Sequence, residues 1–307
     1  ILIGTNPRYE ATILNARIRK SFLKNKTEIY SFGDIGNLTY PYKILDNKSE
    51  TIKDIVENKN QLSDKIKNAE KPIIIIGQSV LKLKSGKFIF EELKKFLLEN
   101  NKITDEWNSL NVLSKHASTV GAYDLDILNT NSESYSIIKK IKNNEFDILF
   151  LFSQDNLDFK KKNEFIIYIG THGDKGAEMA DIILPGSAYT EQDGYFTNLE
   201  GKIQKAYKAS YPPGEAKEDW EIVNNLSSLI KRKKLYQSKD ELIDSMMNYL
   251  KLNKKDSDEI IKVDFLSDKI LIDPIDYYYS NAIARSSNTM SECRNEKIKI
   301  NSTGTNG

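Results

Sequence analysis

Thiols are almost missing from this chain. Among 307 residues only Cys293 carries one. That excludes a disulfide framework within the chain. It also excludes a self-contained iron–sulfur cluster, because clusters are held by several cysteine thiolates. Histidine is nearly as scarce, and His116 and His172 cannot supply the ligand spacing of a zinc site. Neither has a nucleophile in a suitable context, and no G-x-S-x-G motif occurs, so no Ser–His–Asp arrangement is indicated. Both common nucleotide fingerprints, G-x-G-x-x-G and G-x-x-x-x-G-K-[ST], are missing. No apolar run approaches the roughly 18 residues of a membrane span, so none is expected. An excess of one charge is lacking too: 45 basic and 44 acidic residues leave a net +1. A nucleic-acid footprint would need clustered Lys and Arg in excess, so no nucleic-acid partner is expected.

What is present suits a packed protein with a charged surface: 39% hydrophobic and 29% charged residues. Lys, Asn and Ile are frequent, which biased base composition explains. The chain opens in mid-strand at Ile1-Leu2-Ile3, with neither Met nor a basic amphipathic leader. The expectation is a fragment, a processed product or one half of a split protein.

Short β-branched runs stopped by Gly or Pro mark buried strands. They lie at Ile1–Ile3, Thr27–Phe32, Ile73–Ile76, Phe146–Phe152, Ile166–Ile169 and Ile182–Leu184. Four consecutive isoleucines at 73–76 suit a central parallel strand covered on both faces. Between the strands, apolar spacings of three and four predict helices over 49–69, 88–98 and 135–141. After Asn6, a good N-cap, and Pro7 at the first helical position, a further helix carries Leu14, Ile18 and Phe22 on one stripe. Helices are also expected over 215–230, 240–252 and 280–295, with a polar tail after them. The fold class is therefore α/β: doubly wound, mostly parallel sheet or sheets with helices on both faces, then a helical C-terminal extension. The expected division is a first Rossmann-like unit at 1–70, a second at 71–210, and the helical extension with its tail at 211–307.

The stretch 166–204 is the most informative. Gly170-Thr171-His172-Gly173 is the nearest approach to a phosphate cradle, and is read as a loop whose glycines take positive φ. Glu191 and Asp193 are two apart, but nothing in the sequence separates their pKa values as acid–base catalysis would require. Lys231–Lys234 complements a helix C-terminus, and Lys160–Lys162 a solvated face. Cys293, Met246 and Met247 are read as packing.

ADIILPGSAYTEQDGYFTNLEGKIQ at 180–204 resembles the molybdopterin-oxidoreductase superfamily, whose pattern is A-D, two hydrophobics, L-P, then E, G and N-x-E-G-x-x-Q. Within it the likeness is greatest to the large iron–sulfur subunits of respiratory complex I, NADH:ubiquinone oxidoreductase, of mitochondrial type. It extends to GTNPRYEATILNARIRKS near the start, PPGEAKEDWEIVNNLS at 212–227 and NAIARSSNTMSEC at 281–293.

This resemblance implies several things. The chain would lie in the peripheral arm, on the matrix side of the mitochondrial inner membrane. It would have no cofactor of its own, iron–sulfur clusters belonging to an N-terminal segment of the same subunit. That segment and other peripheral-arm subunits would be its partners, and its role would be scaffolding. No catalytic residue and no metal ligand are expected. The vestigial cofactor cleft would be marked by Gly4, Thr5, Asn6, His172, Gly173, Glu191, Asn198 and Gln204. Lys202 stands where the superfamily has Arg, which removes a bidentate fork. The alternative is an active molybdopterin-dependent oxidoreductase subunit. A third is an α/β ligand-binding module of thiamine-enzyme type sharing only the wound sheet.

Overall fold

The computed structural model describes residues 1–127, 133–155, 159–252, 261–273 and 275–303. Two compact units emerge, one from residues 1–116 with 256–275, the other from 117–255 with 276–307. The boundary expected at 70/71 falls inside the first unit and that at 210/211 inside the second.

The first unit begins with β1 (Leu2–Ile3), α1 (Pro7–Glu10), α2 (Thr12–Asn25), β2 (Tyr30–Phe32) and β3 (Lys43–Leu45). There follow α3 (Ser49–Val56), α4 (Gln61–Asn68), β4 (Ile74–Gly77), α5 (Gln78–Leu81) and α6 (Gly86–Glu99). A short hairpin, β5 (Ile103–Thr104) and β6 (Trp107–Asn108), leads to β7 (Leu110–Leu113). Asn6 accepts from the Arg8 amide, and Pro7 opens α1 as its sequence predicts. Lys26 in the left-handed conformation closes α2.

Strands β3-β2-β1-β4-β7 form one sheet, in that order and parallel throughout. The chain builds outward from β1 to β3, then returns past β1 to lay down β4 and β7. Right-handed crossovers that reverse direction put helices on opposite faces, and the core obeys. Ile3, Ile74 and Ile76 pack with α3, α4 and α6 residues such as Ile52, Leu62 and Phe96. Leu2 and Ile75, on the other face, pack with the α2 stripe of Leu14, Ile18 and Phe22 and with Ile35 and Leu38. β4 is buried along its length, as its isoleucines require.

The second unit holds α7 (Thr119–Asp124), α8 (Glu133–Lys142), β8 (Ile148–Phe152), β9 (Phe165–Gly170), α9 (Lys175–Glu178) and β10 (Ile182–Pro185). A hairpin of β11 (Gly194–Thr197) and β12 (Ile203–Ala206) follows, then α10 (Asp219–Lys231) and α11 (Lys239–Leu252). α12 (Ala282–Ser286) and α13 (Asn288–Thr303) are the last elements. The single helix expected over 280–295 is thus two, parted at Ser287, whose backbone is extended. Helix rather than polar tail continues to Thr303.

β10-β9-β8 is also a parallel sheet, but its strands advance in one direction only. Both crossovers accordingly lie on one face, where Phe159 and the residues Ala177, Met179 and Ala180 cover Leu151, Ile166 and Tyr168. The opposite face carries exposed Ile148, Phe150, Phe152, Phe165 and Ile182, brought together by the strand register with half-buried Ile167 and Leu184 and buried Ile169.

Candidate functional site

Open α/β sheets bind ligands at the carboxyl ends of their strands, where the strand order reverses. In the first sheet that place is the gap between β1 and β4. Gly4 turns the chain out of β1 at φ +58°, a conformation that side chains disfavour. A Cβ there would lie 2.3 Å from Val80 Cγ2. Gly77 ends β4 so close to this turn that its own Cβ would stand 2.1 Å from the Gly4 carbonyl oxygen. Glu10 takes two donors of the turn: Thr5 Oγ1 donates to Glu10 Oε2 at 2.7 Å and the Asn6 amide to Glu10 Oε1 at 3.2 Å. The Asn6 side chain donates to the Ile35 carbonyl. Gly4, Thr5 and Asn6 therefore form a closed turn with an internal carboxylate where an anion would bind.

A distant segment crosses the same edge. Lys269 bridges to Lys48, and Ile270, 2% exposed, enters the core beside Val80. The Asp273 carboxylate then meets Lys82 at 3.0 Å and Lys115 at 3.2 Å. The Lys82 hydrogen bond first, and that of Lys115 second, hold Asp273 below the ordinary aspartate value.

The carboxyl edge of the second sheet is organised around Asp155, whose side chain is fully buried. It accepts from Tyr168 Oη at 3.1 Å and from the Gly176 amide at 3.1 Å. Arg285, from α12, reaches it at 3.4 Å and meets Asp174, the N-cap of α9, at 3.1 Å. Burial first and Asp155 second push the Tyr168 phenol up to about 12. Gly170 and Gly173 do not take positive φ, contrary to the sequence expectation. At Gly170 and Gly176 a Cβ would strike the Tyr168 ring at 2.7 Å and the Gln154 carbonyl oxygen at 2.4 Å respectively. His172 Nδ1 pairs with Thr171 Oγ1 at 3.0 Å, and Gly173 abuts Ala177.

Farther along, Glu191 accepts from the Ala188 amide at 2.9 Å. Asn198 Oδ1 accepts from the amides of Glu200 and Lys202, both at 2.9 Å, which pins the turn of the β11–β12 hairpin. Gln204 lies in β12 opposite Phe196. This hairpin was not expected, because its strands lack an apolar run. Asp193 accepts from the Lys208 amide at 2.8 Å, and that bond above all holds it below the usual carboxylate range. Glu191 and Asp193 thus serve separate backbone contacts. Gly4, Thr5 and Asn6 belong to the first unit, and His172, Gly173, Glu191, Asn198 and Gln204 to the second. None lines the cavity of about 470 Å³ that Tyr195, Trp220, Leu242, Met246 and Tyr249 enclose beside the Glu218–Lys239 pair. Cys293 is exposed on α13 rather than packed. Among the described residues, no group of three or more His, Cys, Asp or Glu could hold a metal ion.

Residues 1–229 match the family model of molybdopterin oxidoreductase. The chain belongs to the molybdopterin oxidoreductase family. Its similarity to curated members covers 95% of the chain. It is 39% identical to the NADH-ubiquinone oxidoreductase 75 kDa subunit of Reclinomonas americana, over 44% of that protein. It is 34% identical to the mitochondrial NADH-ubiquinone oxidoreductase 78 kDa subunit of Candida albicans, over 42% of it. Identity to the mitochondrial 78 kDa subunit of Neurospora crassa is 33%, over 41% of that protein. The chain thus spans less than half the length of these relatives.

The family name implies a pterin cofactor, and the first sheet's edge does not fit one. Its turn donors are bonded to Glu10, Gly4 and Gly77 are in backbone contact, and residues 268–273 lie across it. Sequence reasoning in this molybdopterin oxidoreductase family member missed Asp155, Arg285, Lys115 and Asp273. Arg285 sits inside the matched block NAIARSSN, which was the available signal. Nothing local marked Asp273.

Proposed function

We propose that this chain is the molybdopterin-oxidoreductase-like portion of the large iron–sulfur subunit of respiratory complex I, and that it is a scaffold. It braces an N-terminal segment of the same subunit that carries the iron–sulfur clusters, and docks neighbouring peripheral-arm subunits on the matrix side of the mitochondrial inner membrane. NADH-to-ubiquinone electron transfer runs through those clusters and not through this chain, whose single thiol cannot hold one. The eight cleft residues persist as internal hydrogen-bonding and turn positions.

The names of the relatives supply the complex. The scaffolding role rests chiefly on one observation, the exposed face of Ile148, Phe150, Phe152, Phe165 and Ile182. Parallel sheets are ordinarily covered on both faces, and contiguous exposed apolar patches mark interaction surfaces. Affinity purification of the chain from respiratory membranes, followed by mass spectrometry, tests the reading. Recovery with cluster-bearing peripheral-arm polypeptides is expected, and Phe150→Asp should abolish it while changing the chain's own stability by no more than about 0.5 kcal/mol. Recovery of the wild type as a free monomer would refute the assignment. Stoichiometric molybdenum in the purified chain would favour the enzyme reading instead.

A further inference from the structure

We propose that residues 268–273 are a built-in occupant of the first sheet's ligand crevice, with the Asp273 carboxylate holding the lysine pair that would otherwise take a phosphate. The segment touches the chain beyond the ends of β3, β1, β4 and β7. It starts at the exit of β3, where the Ser49 amide donates to the Asp268 carbonyl at 3.0 Å and the Ile270 amide donates to the Asn47 carbonyl at 2.7 Å. Asp268 Oδ2 accepts from the Ser85 amide at 2.6 Å, beyond β4. Ile270 Cγ2 stands 3.5 Å from where a Cβ on Gly4 would be, at the exit of β1. The Asp273 amide then donates to Ser79 Oγ at 3.0 Å, again after β4, and its carboxylate takes Lys82 and Lys115, the latter following β7.

Two features make this more than a loop resting on a surface. Lying across the edge, the segment joins both cores: Ile270 packs with the cluster on one face of the sheet and Ile272 with that on the other. Lys115 is also aimed inward. Its side chain is 8% exposed, its amide donates to Gln78 Oε1 at 2.9 Å, and its ammonium bonds both the carboxylate and the carbonyl of Asp273. A nearly buried ammonium needs an anionic partner, and the only carboxylate paired with it among the described residues arrives from 158 positions along the chain. Two lysines and the Ser79 hydroxyl, beside a reversal of strand order, are donors that suit a phosphate. Here the chain supplies the anion itself. This inference does not depend on the complex I assignment.

Titration calorimetry of the intact chain with inorganic pyrophosphate tests it. The wild type should show no binding at millimolar pyrophosphate. Asp273→Asn keeps the shape, removes the negative charge from between both ammonium groups and should tighten apparent affinity at least about tenfold, which is roughly 1.4 kcal/mol. Adding Lys115→Met should cancel that gain. Pyrophosphate binding by the wild type, or none by Asp273→Asn, would overturn the proposal. Hydrogen exchange of the wild type needs no variant and decides the matter should Asp273→Asn fail to fold. The Ile270 and Asp273 amides should be protected as well as those of β1 and β4, and exchange at the rate of an exposed loop would reject an occupied crevice.

Discussion

The two carboxyl edges are closed by the same device with the charges exchanged. At the first, a carboxylate from a late segment, Asp273, settles between two lysines. At the second, a guanidinium from a late helix, Arg285, settles between two aspartates. The sheets differ in the history of their strands. The first reverses its strand order and so gains helices on both faces and a crevice between β1 and β4. The second never reverses, is covered chiefly on one face, and leaves apolar residues exposed on the other.

The strongest way to break the symmetry between the edges is to remove the arginine. Arg285→Met leaves Asp155 buried with Tyr168 and the Gly176 amide as its side-chain partners among the described residues. Stranding one member of a buried pair costs about 3 kcal/mol. The two tryptophans make the effect separable, since Trp107 lies in the first unit and Trp220 in the second. Denaturant melts followed by fluorescence should show the Trp220 transition shifted down and that of Trp107 in place. Equal shifts of both would show that the pair does not act locally.

Gly77→Ala attacks the other edge by steric means. Its φ is ordinary, so the whole penalty comes from a methyl group placed 2.1 Å from a backbone oxygen that cannot move without β1. Overpacking of this kind costs about 2 kcal/mol. The Trp107 transition should fall this time, leaving that of Trp220. No change in either would mean that the two glycines do not hold β1 and β4 in contact.

How much of this was legible in the sequence follows from what each feature depends on. β4 and α6 announce themselves locally, through four isoleucines and through Phe88, Leu93, Phe96 and Leu97 at helical spacing, and all of these α6 residues are buried. The hairpin of β11 and β12 was hidden because its pairing needs no apolar alternation when a turn such as that of Asn198 fixes the register. Asp273 was hidden for a different reason. Its lysines are 191 and 158 residues away, and no local pattern reports a contact so distant. The partly exposed face of β8–β10 was invisible as well, since strands exposed on one face can have the same continuous apolar composition as strands enclosed on both.

Acid should distinguish the edges with the smallest perturbation. Asp273 is held below the ordinary aspartate value of 3.8 by Lys82 and Lys115. An aspartate whose folded value is depressed takes up protons more readily when unfolded. Its contribution is therefore complete above about pH 4 and disappears as pH falls through the folded value. Asp268, bonded to the Ser85 amide, is the other carboxylate on this segment. Exchange of the 268–273 amides, corrected for intrinsic rates, should quicken as pH falls below about 4, the unfolded aspartate value. In Asp273→Asn the part of this step owed to the lysine pair should vanish. A wild-type step that persists undiminished in the variant would assign the closure of this edge to Ile270 and Ile272 alone, and the likeness between the two edges would then be one of position and not of charge.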